Sequence, residues 1–206
     1  MLHELLWQLN ADIARRCLEH PFVRGLADGS LDFAAFKRYV AQEAFFLRAY
    51  LRVYALAATD SDNLERARQF QRLMKGVLRE LELHGSYAAT LGIGLASVQP
   101  YWETTAYTDF LLRVAWQGEP DETVAALVPC MRLYSFLGTE LSASLRPGHP
   151  YGDWITTYSS DWFKAQSEQV ESILDEVATD SATVREVYRY AMQYELVFFS
   201  APMEGA

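Results

Sequence analysis

The sequence predicts an all-α chain folded as one domain, on three observations. Apolar residues recur at helical spacing along most of its length, and no segment shows sustained two-residue alternation between hairpin turns. The breaks between periodic runs are also short, which favours antiparallel neighbours in one bundle, so residues 1–206 are read as a single domain. Half of the residues are hydrophobic, enough apolar side chain for one sizeable core.

The elements follow in chain order. A first helix is expected over residues 2–19, closed before His20-Pro21 because the residue ahead of a proline is pushed out of the α region. Asp28-Gly29-Ser30-Leu31-Asp32 reads as a turn, and Asp32 is placed to cap a long helix over residues 33–59. Along that helix Tyr39, Glu43, Phe46 and Tyr50 share one face. Capping residues crowd the break at 59–63, and a helix over residues 64–91 runs on to Gly92-Ile93-Gly94. Further helices are expected over residues 101–117, 123–145, 160–178 and 182–199, with a short piece near 151–158. There is no internal repeat and no low-complexity tract.

The formal net charge is −9, with no basic run, which argues against nucleic acid and against anionic membrane surfaces. No apolar run approaches the ~20 residues of a bilayer span, and the first residues begin an amphipathic helix instead of a signal peptide, so a cytoplasmic protein is expected. The two cysteines, Cys17 and Cys130, form no CxxC, and the four histidines are scattered, a poor basis for a structural zinc site. The 12 Tyr, 11 Phe and 5 Trp exceed what closing a helical core requires and can line a pocket for a flat ligand; ordinary packing explains them equally well.

Pro129 inside a helical pattern removes a backbone donor and crowds the carbonyl four residues back. The kink can turn the adjacent Cys130 toward a cavity, and Tyr134 lies on the same face. On pattern alone Cys130 is an inert buried thiol beside a packing proline more readily than a nucleophile beside a phenol, and both readings stay open. Glu43 and Glu195 sit among rings, where a carboxylate is costly unless paired or functional. Pointing inward they can bind a basic heterocycle or work as general acid and base; pointing outward they are only a solvated stripe. Glu80 and His84 are spaced for a hydrogen bond along one helix. The Glu-x-x-His pattern of di-iron bundles is absent, because Leu81 stands three residues before His84.

Six blocks together resemble the TenA, or thiaminase II, family: HPFVRGLADGSLDFAAFKRYVAQE (20–43), ELELHGSYAATLGI (80–93), ETTAYTDFLLRVA (103–115), AALVPCMRLYSFLG (125–138), PGHPYGDWITTYSSDWF (147–163) and MQYELVFF (192–199). The resemblance covers nearly the whole chain. It implies a haem-oxygenase-like helical bundle that binds no haem or other cofactor, holds no metal and assembles as a homotetramer or dimer. It also implies hydrolysis of 5-substituted 4-amino-2-methylpyrimidines in thiamin salvage, chiefly aminomethyl to hydroxymethyl pyrimidine, with slower cleavage of thiamin.

By position, the resemblance makes Cys130 the thiol that adds to the pyrimidine ring and Glu195 the group that handles protons. Tyr107, Tyr134 and Tyr158 become pocket-lining tyrosines, and Phe46 the ring that stacks on the pyrimidine. Glu43 stands where the family has aspartate, at the carboxylate that holds the aminopyrimidine edge, and its extra methylene bears on which pyrimidine fits. The alternatives are a related protein with a different heterocyclic substrate, a non-catalytic pyrimidine-binding or regulatory protein, and a scaffold for oxidative chemistry. The last would want clustered histidines and carboxylates.

Overall fold

In a computed structural model the described residues are 1–61, 63–90, 92–94 and 98–204, with the side chains of Leu83 and Glu204 left aside. Among them all regular structure is helical: α1 (Leu2–Leu9), α2 (Ala11–Leu18), α3 (Pro21–Asp28), α4 (Phe33–Thr59), α5 (Leu64–Thr90), α6 (Trp102–Gln117), α7 (Pro120–Leu141), a 3-10 turn (Ser142–Ser144), α8 (Gly152–Ser159), α9 (Asp161–Val177) and α10 (Ala182–Glu204). Asp62 and the expected helix end at Leu91 lie outside the described residues.

Three elements differ from the sequence expectation, each for a local reason. The first helix is two, broken at Asn10, whose side-chain amide donates to the Leu6 carbonyl (2.8 Å) while its oxygen accepts from Arg189 (3.2 Å). A residue that competes for backbone carbonyls favours such breaks. Residues 21–28 form a helix where the sequence pattern predicts no element. Pro21 ends the preceding helix but also starts this one at its first position, where a missing N–H costs nothing, and His20 Nδ1 accepts from Phe22 N. Gly29, at φ +85°, closes α3 in the left-handed conformation that glycine adopts freely. Finally, α10 runs past Phe199 through Pro202, its last turn tied to α4 by Arg38 Nε donating to the Pro202 carbonyl (2.8 Å). The capping role of Asp32 holds: its carboxylate accepts from Ala34 N.

Helix α7 is the axis of the bundle and touches α4, α6, α8, α9 and α10. Every residue from Thr123 to Met131 is buried, the pattern of a helix apolar on all sides. Contrary to the expectation from apolar run lengths, Pro120–Ser144 is long and apolar enough to cross a membrane by length and composition. Here that segment is mostly buried among the other helices, as a central core helix is. Gly138 lets α8 come close: a Cβ there would stand 2.3 Å from the Tyr158 carbonyl carbon. That approach carries Tyr158 to the centre of the bundle.

Candidate active site

Six helices send polar groups into the apolar interior around Cys130, α6 among them through Tyr107. From α4 the predicted face is realised: Tyr39, Glu43, Phe46 and Tyr50 are all buried, Glu43 at 2 % exposure. From α7 come Cys130 and Tyr134, one turn apart. The helix continues through Pro129, and the Tyr50 hydroxyl donates to the Leu127 carbonyl just ahead of it (2.6 Å). Helix α5 contributes Glu80, α8 contributes Trp154 and Tyr158, and α10 contributes Glu195, 1 % exposed.

These groups pair into three carboxylate–phenol units. Tyr134 OH donates to Glu43 Oε1 (2.9 Å), and Tyr39, which also bonds Glu43, accepts from Trp154 Nε1 (3.2 Å). Tyr107 OH donates to Glu195 Oε1 (2.7 Å), and Glu195 is hydrogen-bonded to the Cys130 thiol. Tyr158 OH donates to Glu80 Oε1 (2.7 Å). A narrow cavity, with room for little more than a water molecule in the ligand-free protein, lies beside them, its wall including Glu43, Phe46, Glu80, Cys130, Tyr134 and Tyr158. Glu195 and Tyr107 are not on that wall; they stand behind the thiol. The Phe46 ring packs at 5.3 Å on Tyr50 and 4.9 Å on Tyr107, measured between ring centroids. A roomier groove of about 260 Å³ opens between α7 and α9 beside Arg132, Lys164 and Glu168, but no thiol lines it.

All seven residues singled out from the sequence therefore meet in one region, six helical segments apart in the chain. The predicted Glu80–His84 hydrogen bond does not form. Glu80 takes Tyr158 from α8 instead, and His84 Nδ1 is buried without a partner. The sequence reading also missed Glu80, Tyr39 and Trp154 as members of the site. Tyr39 left a signal through the face it shares with Glu43 and Phe46, and Glu80 as a carboxylate one turn before a histidine on an otherwise apolar helix face.

The electrostatics are set by burial without cations. No lysine or arginine lines the cavity among the described residues. Burial pushes Glu43 up to about 8, opposed by the Tyr39 bond and reinforced by Glu80. Burial likewise raises Glu80 and Glu195 to about 7 each, against the bonds from Tyr158 and from Tyr107 and Cys130. Burial first, then the nearby Glu195, Glu43 and Glu80 carboxyls, push the Cys130 thiol well above its ordinary value. Burial drives His84 down to about 4, so it is neutral.

These shifts have a consequence for stability. Each carboxyl holds its proton more tightly folded than unfolded, so stability falls as pH rises from the unfolded value near 4.5 toward 7 or 8. The slope is about 1.4 kcal/mol per pH unit for each group still protonated only in the folded state, and it vanishes above about pH 8. Urea midpoints of the ligand-free protein are therefore expected to fall from pH 5 to pH 8 and then level off. A midpoint that rises over that interval contradicts the buried, cation-free site.

Residues 7–205 match the model of the TENA/THI-4/PQQC family. The chain is 37% identical to an aminopyrimidine aminohydrolase of Halalkalibacterium halodurans over 167 residues, 77% of this chain and 74% of the relative. A solved TenA homologue from Pyrococcus furiosus superposes with a TM-score of 0.91 at 26% identity, covering 98% of this chain and all of that one. A domain of unknown function with a heme oxygenase-like fold from Shewanella denitrificans superposes with a TM-score of 0.79 over 99% of this chain and 92% of its own. At 16% identity that match speaks to fold alone, and the all-α haem-oxygenase-like architecture is the observed one.

Proposed function

For a chain that belongs to the TENA/THI-4/PQQC family, we propose hydrolysis of 5-substituted 4-amino-2-methylpyrimidines, converting aminomethyl to hydroxymethyl pyrimidine in thiamin salvage. The observation that carries this reading is the Cys130 thiol on a ring-lined cavity wall, with the Glu195 carboxyl bonded to it from behind.

Glu43 is the anchor for the ring edge. At neutral pH its raised value keeps it largely a neutral acid, which donates its O–H to a ring nitrogen and accepts from the neighbouring amino group. That pair of hydrogen bonds matches a neutral aminopyrimidine. Tyr134 and Tyr39 hold the carboxyl in place, so the methylene that glutamate adds over aspartate is fixed and sets the depth of the ring. Phe46, Tyr134 and Tyr158 supply aromatic walls for a flat heterocycle.

Cys130 is not ionised at rest, so its proton must leave as sulfur attacks the electron-poor ring. Glu195 is the adjacent acceptor, and a value near 7 suits a group that takes and returns a proton at neutral pH. Addition of sulfur to the ring relays an electron pair toward the 5-methylene and expels the leaving group. Water then adds at the methylene, and sulfur departs with its proton. Thiamin is a slower substrate of the same site. Assembly as a homotetramer or dimer is part of this reading, and the large exposed rings of Trp102 and Trp116 on α6 suit it. So is a cytoplasmic location, which the two free thiols favour.

The test offers aminomethyl pyrimidine, its formylated precursor and thiamin in parallel and follows hydroxymethyl pyrimidine. The expected order puts aminomethyl pyrimidine first and thiamin well behind it. Turnover of none of the three rejects this substrate class and favours a different heterocycle or a binding role.

A further inference from the structure

Three buried carboxylates surround this site, and the proposed hydrolysis uses only two. Glu43 takes the ring edge, and Glu195 is engaged by Tyr107 and by the thiol from behind the wall. Glu80 is different. It stands on the cavity wall with Cys130, 9 % exposed as a residue, and among the described residues it accepts a hydrogen bond from Tyr158 at 2.7 Å. Among the described residues no lysine or arginine pairs with it, and burial raises it to about 7, so at neutral pH it exchanges between acid and carboxylate. The cavity wall carries no lysine or arginine, and His84, one turn along α5, is held neutral by burial. A buried carboxylate without a cation is costly, and the missing counter-charge is most simply brought by the ligand.

The substrate class proposed above has such a charge in one place. The aminomethyl substituent is an alkylammonium at neutral pH, as protein amines are, and the 5-substituent of thiamin, a thiazolium before cleavage, is also a cation. The hydroxymethyl product carries the same ring with no charge. We propose that Glu80, oriented by Tyr158, is the leaving-group residue of this site: it binds the cationic 5-substituent and thereby selects substrate over product.

The reaction balances with Glu80 in this role. The carbon–nitrogen bond of the ammonium breaks with its electron pair going to nitrogen, releasing ammonia. Water adds at the methylene and gives a proton to the Glu80 carboxylate, which passes it to ammonia. Ammonium leaves and Glu80 is ionised again. Glu195 is then confined to the proton of the thiol, so the two carboxylates divide work that the family resemblance places on one.

The inference rests on the proposed hydrolysis, and its test separates the two. Wild type and Glu80→Gln are compared for KM and kcat on aminomethyl pyrimidine and for competitive inhibition by hydroxymethyl pyrimidine, with thermal unfolding of both proteins. In the variant KM for the ammonium substrate is expected to rise about tenfold or more, the range for losing a hydrogen bond to a charged group. The inhibition constant of the neutral product is expected to stay within about twofold. Glu80→Asp keeps the charge and is expected to keep the preference for substrate over product while losing kcat, which makes it the second reading if Glu80→Gln does not fold. Equal weakening of substrate and product, or no change in either, overturns the role of Glu80. A wild type that turns over no aminomethyl pyrimidine removes the underlying hydrolysis and this inference with it.

Discussion

Cys130→Ser is expected to lower kcat for aminomethyl pyrimidine by about a thousandfold or more while leaving the fold intact. The change exchanges one atom at a position whose neighbours are already packed, and the void left by the smaller hydroxyl is less than a methyl group, so its cost is small. What is lost is a soft nucleophile able to add to an electron-poor ring carbon. The loss should lie in kcat, because Glu43 and the aromatic walls that bind the ring are untouched. Formation of hydroxymethyl pyrimidine measured by chromatography, with circular dichroism and melting temperature beside it, decides the point. Turnover within tenfold of wild type, in a folded variant, means that sulfur is not the nucleophile.

Glu195→Gln should come next in size, lowering kcat about a hundred- to ten-thousandfold with KM changed little. Glutamine keeps the shape and an oxygen for Tyr107 to donate to, so the 2.7 Å bond has a successor. It cannot take the thiol proton. With the thiol pushed far above its ordinary value by burial and by the neighbouring carboxyls, sulfur without a base stays protonated at working pH. The variant should also lose the limb of the pH–rate profile near pH 7 that belongs to Glu195. A variant with wild-type kcat would move the proton step to another carboxylate, and Glu80 is the one on the cavity wall that does not hold the ring edge.

Helix positions were legible in the sequence where pattern and caps agreed. The run from Phe33 to Thr59 was readable because Asp32 caps it and its apolar stripe is unbroken. Asn10 and Pro21 were misread for related reasons: each has two local meanings, and neighbours decide between them. Asn10 breaks a helix because its amide finds Leu6 O and its oxygen finds Arg189, a partner 179 positions away. Pro21 ends one helix and begins another, and only the capping geometry of His20 shows the second role.

The site divides in the same way. Residue pattern marked Cys130 as a thiol on a kinked helix and Glu43 and Glu195 as carboxylates among rings; the family blocks supplied Tyr107, Tyr134, Tyr158 and Phe46. Sequence by itself thus determined the helical class, the family and which side chains are candidates for the chemistry, because these depend on periodicity and on residue order. Tertiary structure alone decided which carboxylate meets which phenol, that Glu80 turns to Tyr158 and leaves His84 Nδ1 without a partner, and that Glu195 bonds the thiol while Glu80 lines the cavity. It also decided the charge state of the pocket. A carboxyl's affinity for its proton depends on burial and on cations within a few ångströms, and both come from helices distant in the chain.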